Sequence, residues 1–422
     1  MPRNKLILVS MDALIAEDLA YLAKKPAFSR LLGNCARVEQ VRSIYPTLTY
    51  PCHATMATGM LCRTHGIVNN TEFIPGVYNP PWLWYHDAYR CRDLLDACKE
   101  AGLATAAVGW PTMGSHPACD YLVGEIAATT AVTEEEFRRD YRRTGTGDAL
   151  WESVCRPNIH WRTQEKCVAM FNASVCCDII RRYAPDLVLL HTGEPDHARH
   201  TYGVHAPEVE NALDMCERIL ELLQAAIAQS GAADRYNLVI TADHGQLDTT
   251  HTANPNVLLA NHGFIQLDDA GNVRQWRAWC LNTGMSAEVF VKDPADEPAV
   301  LALLRQHQEA YGCSHVYTRE EAEAEGFTGD FAFILETDGH TRFDNAWQGP
   351  LLAAHGGIKG SHGYHPDKGP RPPLLATGPG FRTGVKLPTA HLADGAPTWA
   401  ALLGVALPNT DGTALHQLLQ IC

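Results

Sequence analysis

The chain has 422 residues, of which 46% are hydrophobic and 19% charged, and its formal net charge is −14 at pH 7. Such a composition is typical of a globular protein, and the length allows two or three domain-sized units. The acidic balance argues against a protein that binds the backbone of a nucleic-acid duplex, and no apolar run reaches the roughly 20 residues that span a bilayer. A strand-like apolar run begins at Leu6 with no signal peptide before it, which predicts a cytoplasmic protein.

The first part of the chain alternates between short apolar runs and segments with helical spacing. The runs predict strands at 6–10, 104–108, 186–191 and 237–241, and the spacing predicts helices at 16–32, 91–101, 164–183 and 207–230. Apolar strands joined by helices are typical of an α/β fold with a doubly wound, mostly parallel sheet and helices on both of its faces.

The rhythm changes after residue 286. The pattern there predicts a strand at 287–292, helices at 297–312 and 319–326, and a strand at 331–336, and it returns to a core-like strand at 373–377. We therefore predict an α/β core over residues 1–286, a small inserted α+β lobe over residues 287–345, and a return to the core over residues 346–422.

Thr49 is a candidate nucleophile at the start of a helix. It precedes Pro51 and the helical run 53–58, and Thr at an N-cap with Pro in the first turn is a strong signal for a helix start. The free N–H groups of such a helix end attract a phosphate-like anion, which a hydroxyl placed there can attack. Taken alone, Thr49 has a simpler alternative role as a helix cap, which is the commoner one.

Acidic and histidine residues follow the predicted strands, where the ligand crevice of an open α/β sheet lies. They are Asp12, Asp196, His200, Asp243 and His244, and a glycine-bracketed loop adds His362. Asp196 and His200 are four residues apart, so on a helix they share one face and can hold one ion. Mixed carboxylate and imidazole donors suit Zn²⁺, with Mn²⁺ as an alternative.

Each of these residues also has an ordinary structural role open to it. Asp12 or Asp243 could cap the helix after its strand, and His200 or His362 could be a hydrogen-bonded loop histidine. Because so many such residues fall at successive strand ends, we interpret them together as two metal sites that flank one hydroxyl.

The order of these motifs resembles the alkaline-phosphatase superfamily and, within it, the nucleotide pyrophosphatase/phosphodiesterase family. The matching segments are SMDAL around Asp12, PTLTYPCHATMATG around Thr49, THGIVNN ending at Asn70, GEPDHARH, TADHG and GSHGYHP. The resemblance implies that one zinc ion is held by Asp196, His200 and His362, and a second by Asp12, Asp243 and His244. It further implies that Thr49 bridges the metals as the nucleophile and that Asn70 binds the phosphoryl oxygens.

The activity implied by the resemblance is zinc-dependent hydrolysis of phosphate diesters through a covalent phosphothreonine, with a small phosphorylated substrate such as a nucleotide. One alternative is a phosphonate (phosphonoacetate-like) or phosphomonoester hydrolase of the same superfamily. A second is a non-catalytic, metal-stabilised binding protein. The sequence leaves open the natural leaving group, the physiological metal and the oligomeric state.

Four aromatic positions bear on the substrate. The family usually has Phe directly after the nucleophile and Asn three residues after it, where this chain has Tyr50 and Cys52. In nucleotide-cleaving relatives that aromatic residue stacks on the base, so we expect Tyr50 to contact the substrate, with Tyr121 as a second stacking residue. Core packing is the alternative for Tyr121. Trp82 and Trp84 belong either to a wall of the substrate pocket or to the core.

Overall fold

The computed structural model describes residues 3–126, 129–354 and 356–420. Its strands, numbered in chain order, are β1 (Lys5–Met11), β2 (Ala36–Arg42), β3 (Thr105–Val108), β4 (Tyr121–Val123), β5 (Leu187–Thr192), β6 (Tyr236–Thr241), β7 (Leu247–Asp248), β8 (His251–Ala253), β9 (Ile265–Leu267), β10 (Val273–Trp276), β11 (Ala278–Asn282), β12 (Ser286–Val291), β13 (Cys313–Thr318), β14 (Phe333–Thr337), β15 (Thr341–Phe343), β16 (Leu352–Ala354), β17 (Gly360–Ser361), β18 (Leu374–Thr377) and β19 (Lys386–His391). Its α-helices are α1 (Leu19–Leu22), α2 (Pro26–Asn34), α3 (Thr49–Thr58), α4 (Cys62–His65), α5 (Leu94–Glu100), α6 (Glu134–Arg143), α7 (Asp148–Leu150), α8 (His160–Thr163), α9 (Val168–Tyr183), α10 (Asp196–Tyr202), α11 (Val209–Gln229), α12 (Pro255–Asn261), α13 (Glu297–Gln306), α14 (Arg319–Ala324) and α15 (Gly395–Leu403).

The main sheet of the described chain has eight strands in the order β19-β2-β18-β6-β1-β5-β3-β4. All neighbouring strands are parallel except β18, which runs antiparallel to both β2 and β6. The central strand β1 is buried along its whole length, as expected for a strand that is covered on both faces. The predicted fold class, a mostly parallel α/β sheet, is confirmed.

Alternate residues of β1 enter two different hydrophobic cores, because successive side chains of a strand point to opposite faces. Ile7 and Val9 pack with helices α2, α9 and α11 on one face. Leu6 and Leu8 pack with α3, α5 and α15 on the other. The sheet is therefore covered by helices on both faces. The ends of its strands remain uncovered, so a ligand can bind there.

A smaller lobe is built on the antiparallel sheet β11-β12-β14-β13. It has its own core, in which Trp279, Val300, Tyr311 and Leu335 are buried. Its first strand, Ala278–Asn282, lies before the predicted lobe limit at residue 287, and the exact domain limits stay a prediction.

Some predicted elements differ from the observed ones in their limits. The helix predicted over 16–32 is interrupted, because Pro26 begins a new helix, α2, and the residue before a proline is disfavoured in the α conformation. Strands β2 and β19 were not predicted; β2 is only partly buried, and β19 contains a proline at the sheet edge. Among the described residues, no helix is both long enough and apolar enough to cross a membrane.

Candidate active site

Three buried carboxylates meet at one edge of the main sheet because of its strand register. Strand β1 lies between β5 and β6, with Met11 opposite Thr192 and Ser10 opposite Thr241. The chain leaves all three strands at the same level, so Asp12, Asp196 and Asp243 emerge side by side and are buried there.

The first group of predicted ligands surrounds His244. Its Nε2 atom lies 3.1 Å from Asp243 Oδ2, 3.6 Å from Asp12 Oδ1 and 3.2 Å from the Thr49 hydroxyl oxygen. Within the described residues, Asp12 Oδ1 and Asp243 Oδ2 are buried without a hydrogen-bond donor. A buried carboxylate oxygen without a donor is costly, so this donor set fits a bound cation.

The second group is centred on Asp196. His200 Nε2 lies 3.2 Å from Asp196 Oδ2, and His362 Nε2 lies 3.7 Å from Asp196 Oδ1. The Nδ1 atoms of the two histidines lie 2.7 Å from the Gly360 carbonyl oxygen and 3.1 Å from that of Thr47, respectively. A carbonyl that accepts from Nδ1–H leaves the Nε2 lone pair free for a metal, as is usual for histidine ligands.

The two groups share His244, so they form one continuous cluster. The ligand atoms of Asp196, His244 and His362 lie within 4.8 Å of one another, and so do those of Asp12, Asp243 and His244. The structure thus brings together all seven residues that the sequence predicted as metal ligands: Asp12, Thr49, Asp196, His200, Asp243, His244 and His362.

The electrostatics of the cluster are those of crowded carboxylates. Burial and the neighbouring Asp243 raise the pKa of Asp12 well above its usual value, and burial also raises the pKa of Asp243. Burial lowers the pKa of His244 to about 4 and that of His362 to about 3, so both imidazoles are neutral at pH 7. Neutral imidazoles beside carboxylates that repel one another are what a divalent cation stabilises.

Thr49 occupies a different helix position from the predicted one. The N-cap of α3 is Leu48, and Thr49 is the first helical residue, so Thr49 does not cap the helix. Instead the Asn70 side chain accepts a hydrogen bond from the Tyr50 N–H at 2.9 Å. Since Asn70 Oδ1 is used in this way, the Nδ2 donor of the amide remains for a ligand beside Thr49.

His191 is a functional candidate that the sequence analysis missed. Its Nε2 lies 3.0 Å from Asp12 Oδ2, and its Nδ1 lies 3.0 Å from the Gly109 carbonyl oxygen. Both ring nitrogens therefore have protein partners, and we interpret His191 as a residue that positions Asp12. The sequence signal that could have identified it is the presence of a histidine within the apolar run 187–192.

Two cavities open at the cluster. The nucleophile cavity, of about 370 Å³, is lined by Asp12, Thr49, Asn70, Trp82, Glu125, Tyr141 and Arg162 among others. The lobe cavity, of about 910 Å³, lies between the core and the lobe and shares Asn70, Trp82, His200 and His362 with the first. Burial raises the pKa of Glu125 to about 8, and nothing in the sequence around it indicated a place at the site.

The two predicted stacking residues have other surroundings. Tyr50 is fully buried behind Trp82, with ring centroids 5.3 Å apart, so Trp82 rather than Tyr50 presents the aromatic surface beside Thr49. Tyr121 stacks on Tyr183 at 4.3 Å and lines a separate depression near Gly147. Tyr121 is thus absent from the lining of the nucleophile cavity, and its predicted stacking on the substrate stays a prediction.

A second group of potential ligands, His86, Asp93, Asp96 and His116, has a structural role instead. Asp93 caps α5 by accepting from the N–H groups of Leu95 and Asp96. His116 Nδ1 accepts from the Ala118 N–H, so the ring proton is on Nε2, which donates to Asp93 at 2.9 Å. With its proton on Nε2, His116 has no lone pair left for a metal.

Comparison with known proteins agrees with this geometry. The sequence model of the family described as type I phosphodiesterase/nucleotide pyrophosphatase matches residues 6–365. Ectonucleotide pyrophosphatase/phosphodiesterase family member 7 of Homo sapiens is 24% identical over 426 residues, which cover 97% of this chain and 82% of that protein. Venom phosphodiesterase 2 of Crotalus adamanteus is 24% identical over 265 residues, which cover 58% of this chain and 27% of that protein.

Solved structures share the fold. Murine ectonucleotide pyrophosphatase/phosphodiesterase 5 superposes with a TM-score of 0.70 at 21% identity, covering 99% of this chain and 100% of that one. An inactive threonine-to-alanine variant of the same murine protein, in complex with AMP, also superposes with a TM-score of 0.70, at 20% identity and with the same coverage. Since the family model spans most of the sequence, the chain belongs to the type I phosphodiesterase/nucleotide pyrophosphatase family.

Proposed function

We propose that this protein hydrolyses phosphate diesters with Thr49 as the nucleophile. The observation that carries the proposal is the Thr49 hydroxyl, 3.2 Å from His244 Nε2 and next to buried oxygens of Asp12 and Asp243 that have no donor among the described residues. Family membership confirms the predicted enzyme class, a metal-dependent phosphoric diester hydrolase.

The residues fit two divalent cations, and zinc is our proposal for both. Asp196, His200 and His362 would hold one, and Asp12, Asp243, His244 and Thr49 the other, because carboxylate, imidazole and alkoxide donors suit zinc. When bound, cations of this kind lower the pKa of a coordinated hydroxyl and offset the negative charge that develops on phosphoryl oxygens.

The protein residues then perform a two-step transfer. The Thr49 oxygen forms a bond to phosphorus, and the bond from phosphorus to the leaving-group oxygen breaks; the threonine proton passes to solvent. Water then attacks phosphorus and breaks its bond to Thr49, which restores the hydroxyl and releases a phosphate monoester. Throughout, the Asn70 amide donates to a phosphoryl oxygen and keeps phosphorus in line with Thr49.

The two cavities favour a diester over a monoester. A diester has two organic substituents, and the nucleophile cavity and the lobe cavity, which share Asn70 and Trp82, supply one space for each. The names of the relatives, and the AMP bound to the murine structure, favour nucleotide-type diesters, for which Trp82 supplies an aromatic wall.

A substrate panel tests the proposal against its alternative, phosphonate or monoester hydrolysis. The zinc-loaded protein is assayed with bis(4-nitrophenyl) phosphate and a dinucleotide, and in parallel with 4-nitrophenyl phosphate and phosphonoacetate. We expect kcat/KM to be at least about a hundredfold higher for the diesters. Faster turnover of phosphonoacetate or of the monoester would replace the proposed reaction by the alternative one.

A cytoplasmic location remains part of the proposal. Fractionation of cells that express the chain at native level checks it: we expect the protein with cytoplasmic markers, and recovery from the medium would contradict it. Sedimentation of the purified protein determines the oligomeric state.

A further inference from the structure

Arg162 is a buried cation in the wall of the nucleophile cavity. Its side chain belongs to a residue that is only 7% exposed, and the residue lines the same cavity as Thr49 and Asp12. Throughout residues 3–126, 129–354 and 356–420, no acidic side chain or hydrogen-bond acceptor pairs with its guanidinium group. Arg162 is also the only arginine or lysine among the described residues that line this cavity.

Aromatic rings hold the guanidinium group in place. Its central carbon lies 4.7 Å from the ring centroid of Phe137 and 5.9 Å from those of Tyr141 and Phe171. Contact with aromatic faces fixes the position of a cation without neutralising its charge or satisfying its five N–H donors. The side chain is therefore positioned but still able to bind an anion.

Tyr141 adds a second donor at the same wall. The Tyr141 residue lines the nucleophile cavity, and its hydroxyl makes no hydrogen bond to any described residue. Among the described residues that line this cavity, Glu125 carries the carboxyl group that lies outside the metal cluster, and burial raises its pKa to about 8.

A charged group inside a protein is normally paired with an opposite charge. A guanidinium group is always charged in proteins, and that of Arg162 lines the cavity that opens at Thr49 and the metal cluster. This placement points to an anionic partner that arrives with the substrate. The phosphoryl group under attack is itself taken by the cation cluster and Asn70, so the partner has to be a different anionic group.

We propose that Arg162 and Tyr141 form an anion subsite in the nucleophile cavity, which binds a second anionic group, a carboxylate or phosphate, carried on one arm of the diester substrate. The planar guanidinium fork matches both groups, because it can donate two parallel hydrogen bonds to either. This inference rests on the proposed diesterase function and narrows its substrate class.

Three matched substrates test the subsite. Each is a 4-nitrophenyl phosphodiester whose second arm is a propyl chain that ends in a carboxylate, in a phosphate, or in a neutral carboxamide. We expect kcat/KM of the native holoenzyme to be at least about tenfold higher for one or both anionic arms than for the carboxamide arm, as for a charge-assisted hydrogen-bonded pair away from water. The ratio between the carboxylate and phosphate arms identifies which anion the subsite selects.

Variants assign any preference to Arg162. Arg162→Met should bring the anionic-to-neutral ratio close to one, and Arg162→Lys, which keeps the charge but loses the fork, should give an intermediate ratio. Arg218→Met is the matched control, because Arg218 also stacks on an aromatic ring, 5.6 Å from Trp161, but is exposed and outside the cavity. It should keep the native ratio.

Binding separates this inference from the proposed function. The Thr49→Ala holoenzyme is titrated calorimetrically with the same three diesters, and we expect the anionic arms to bind at least about tenfold more tightly. The subsite would be overturned, and diester hydrolysis would stand, if two results coincide: the three arms give equal kcat/KM with the native protein and equal Kd with the Thr49→Ala protein. Absence of hydrolysis of any arm would instead refute the proposed function, and the Kd ratio alone would then decide the subsite.

Discussion

At the residue scale, one hydroxyl is set apart from the many others by what surrounds it. Thr49 is buried at the first position of α3, and its hydroxyl oxygen lies 3.2 Å from His244 Nε2. The other two threonines of the same helix have structural partners: Thr58 donates to the Ala54 carbonyl oxygen at 2.8 Å, and the Thr55 hydroxyl lies 3.1 Å from His65 Nε2. Because the Thr49 hydroxyl faces the cluster of predicted metal ligands instead, it can act as a nucleophile, whereas the other two threonines of the helix have structural roles.

Replacement of Thr49 tests that role directly. We expect Thr49→Ala to lower kcat for a 4-nitrophenyl diester by at least about a thousandfold, because covalent transfer to the threonine oxygen is lost. Thr49→Ser, which keeps a hydroxyl, should retain measurable turnover. Metal content by atomic emission should be near that of the native protein in both, and near-native kcat in Thr49→Ala would remove Thr49 from its role.

His191 acts on the cluster through Asp12, which it holds at 3.0 Å. We expect His191→Ala to weaken zinc binding about 10- to 100-fold, as measured by competition with a chromophoric chelator, because a freed carboxylate must be ordered again on binding. His116→Ala is the matched control, since His116 pairs with Asp93 away from the cluster. It should lower the unfolding temperature but leave zinc affinity intact; an equal loss of zinc affinity in both variants would contradict the assignment.

At the scale of elements, the loop that carries His362 is fixed by the lobe. Met285, in the turn between β11 and β12, donates its N–H to the His362 carbonyl oxygen at 2.7 Å. On the other side, the Gly363 N–H donates to the Thr47 carbonyl oxygen at 2.8 Å. The lobe thus helps to fix the position of one predicted metal ligand, His362, although the lobe's own sheet contributes none of the predicted ligands.

At Gly363 the His362 loop approaches the backbone of the lobe most tightly, next to Thr283. Its φ is +97°, and a methyl group there would overlap the carbonyl oxygen of Thr283. We expect Gly363→Ala to displace His362, to lower zinc content and to reduce kcat/KM at least about tenfold. Gly33→Ala, in α2 with open space around it, is the control and should leave both unchanged. A Gly363→Ala protein with full zinc content and activity would show that the loop tolerates the shift.

At the scale of the whole molecule, the site draws on the core, the lobe and the returning C-terminal segment at once. Its three carboxylates are buried together, and burial and mutual repulsion raise the pKa of Asp12. Cations that bind the folded but not the unfolded chain stabilise the folded state by mass action, and here they also remove this repulsion.

Metal removal should therefore destabilise the entire fold as well as abolish activity. We expect exhaustive chelation to lower Tm by several degrees and to remove diesterase activity, and we expect Zn²⁺ to restore both. Differential scanning calorimetry with parallel assays follows the two effects, with Mg²⁺ as the control ion. Full activity in protein that is free of transition metal by emission spectroscopy would refute the metal-dependent mechanism.

Much of this architecture was predictable from local patterns. The continuous apolar runs of β1, β5 and β6 identify buried parallel strands, and the polar residues directly after them identify the ligand edge. Strand β2 was missed because its burial alternates irregularly, and the N-cap position of Thr49 was wrong by one residue because helix ends depend on backbone geometry that composition does not fix.

By itself, the sequence determined the fold class and the set of residues that could bind metal, because strand periodicity and donor chemistry are local properties. Only the tertiary structure decided that Trp82 packs against Tyr50, that Tyr121 stacks on Tyr183, and that His191 and Arg162 reach the site. These contacts depend on how side chains from distant segments of the chain pack together. Packing between elements is not encoded in any local sequence pattern, so it could not be predicted from the sequence.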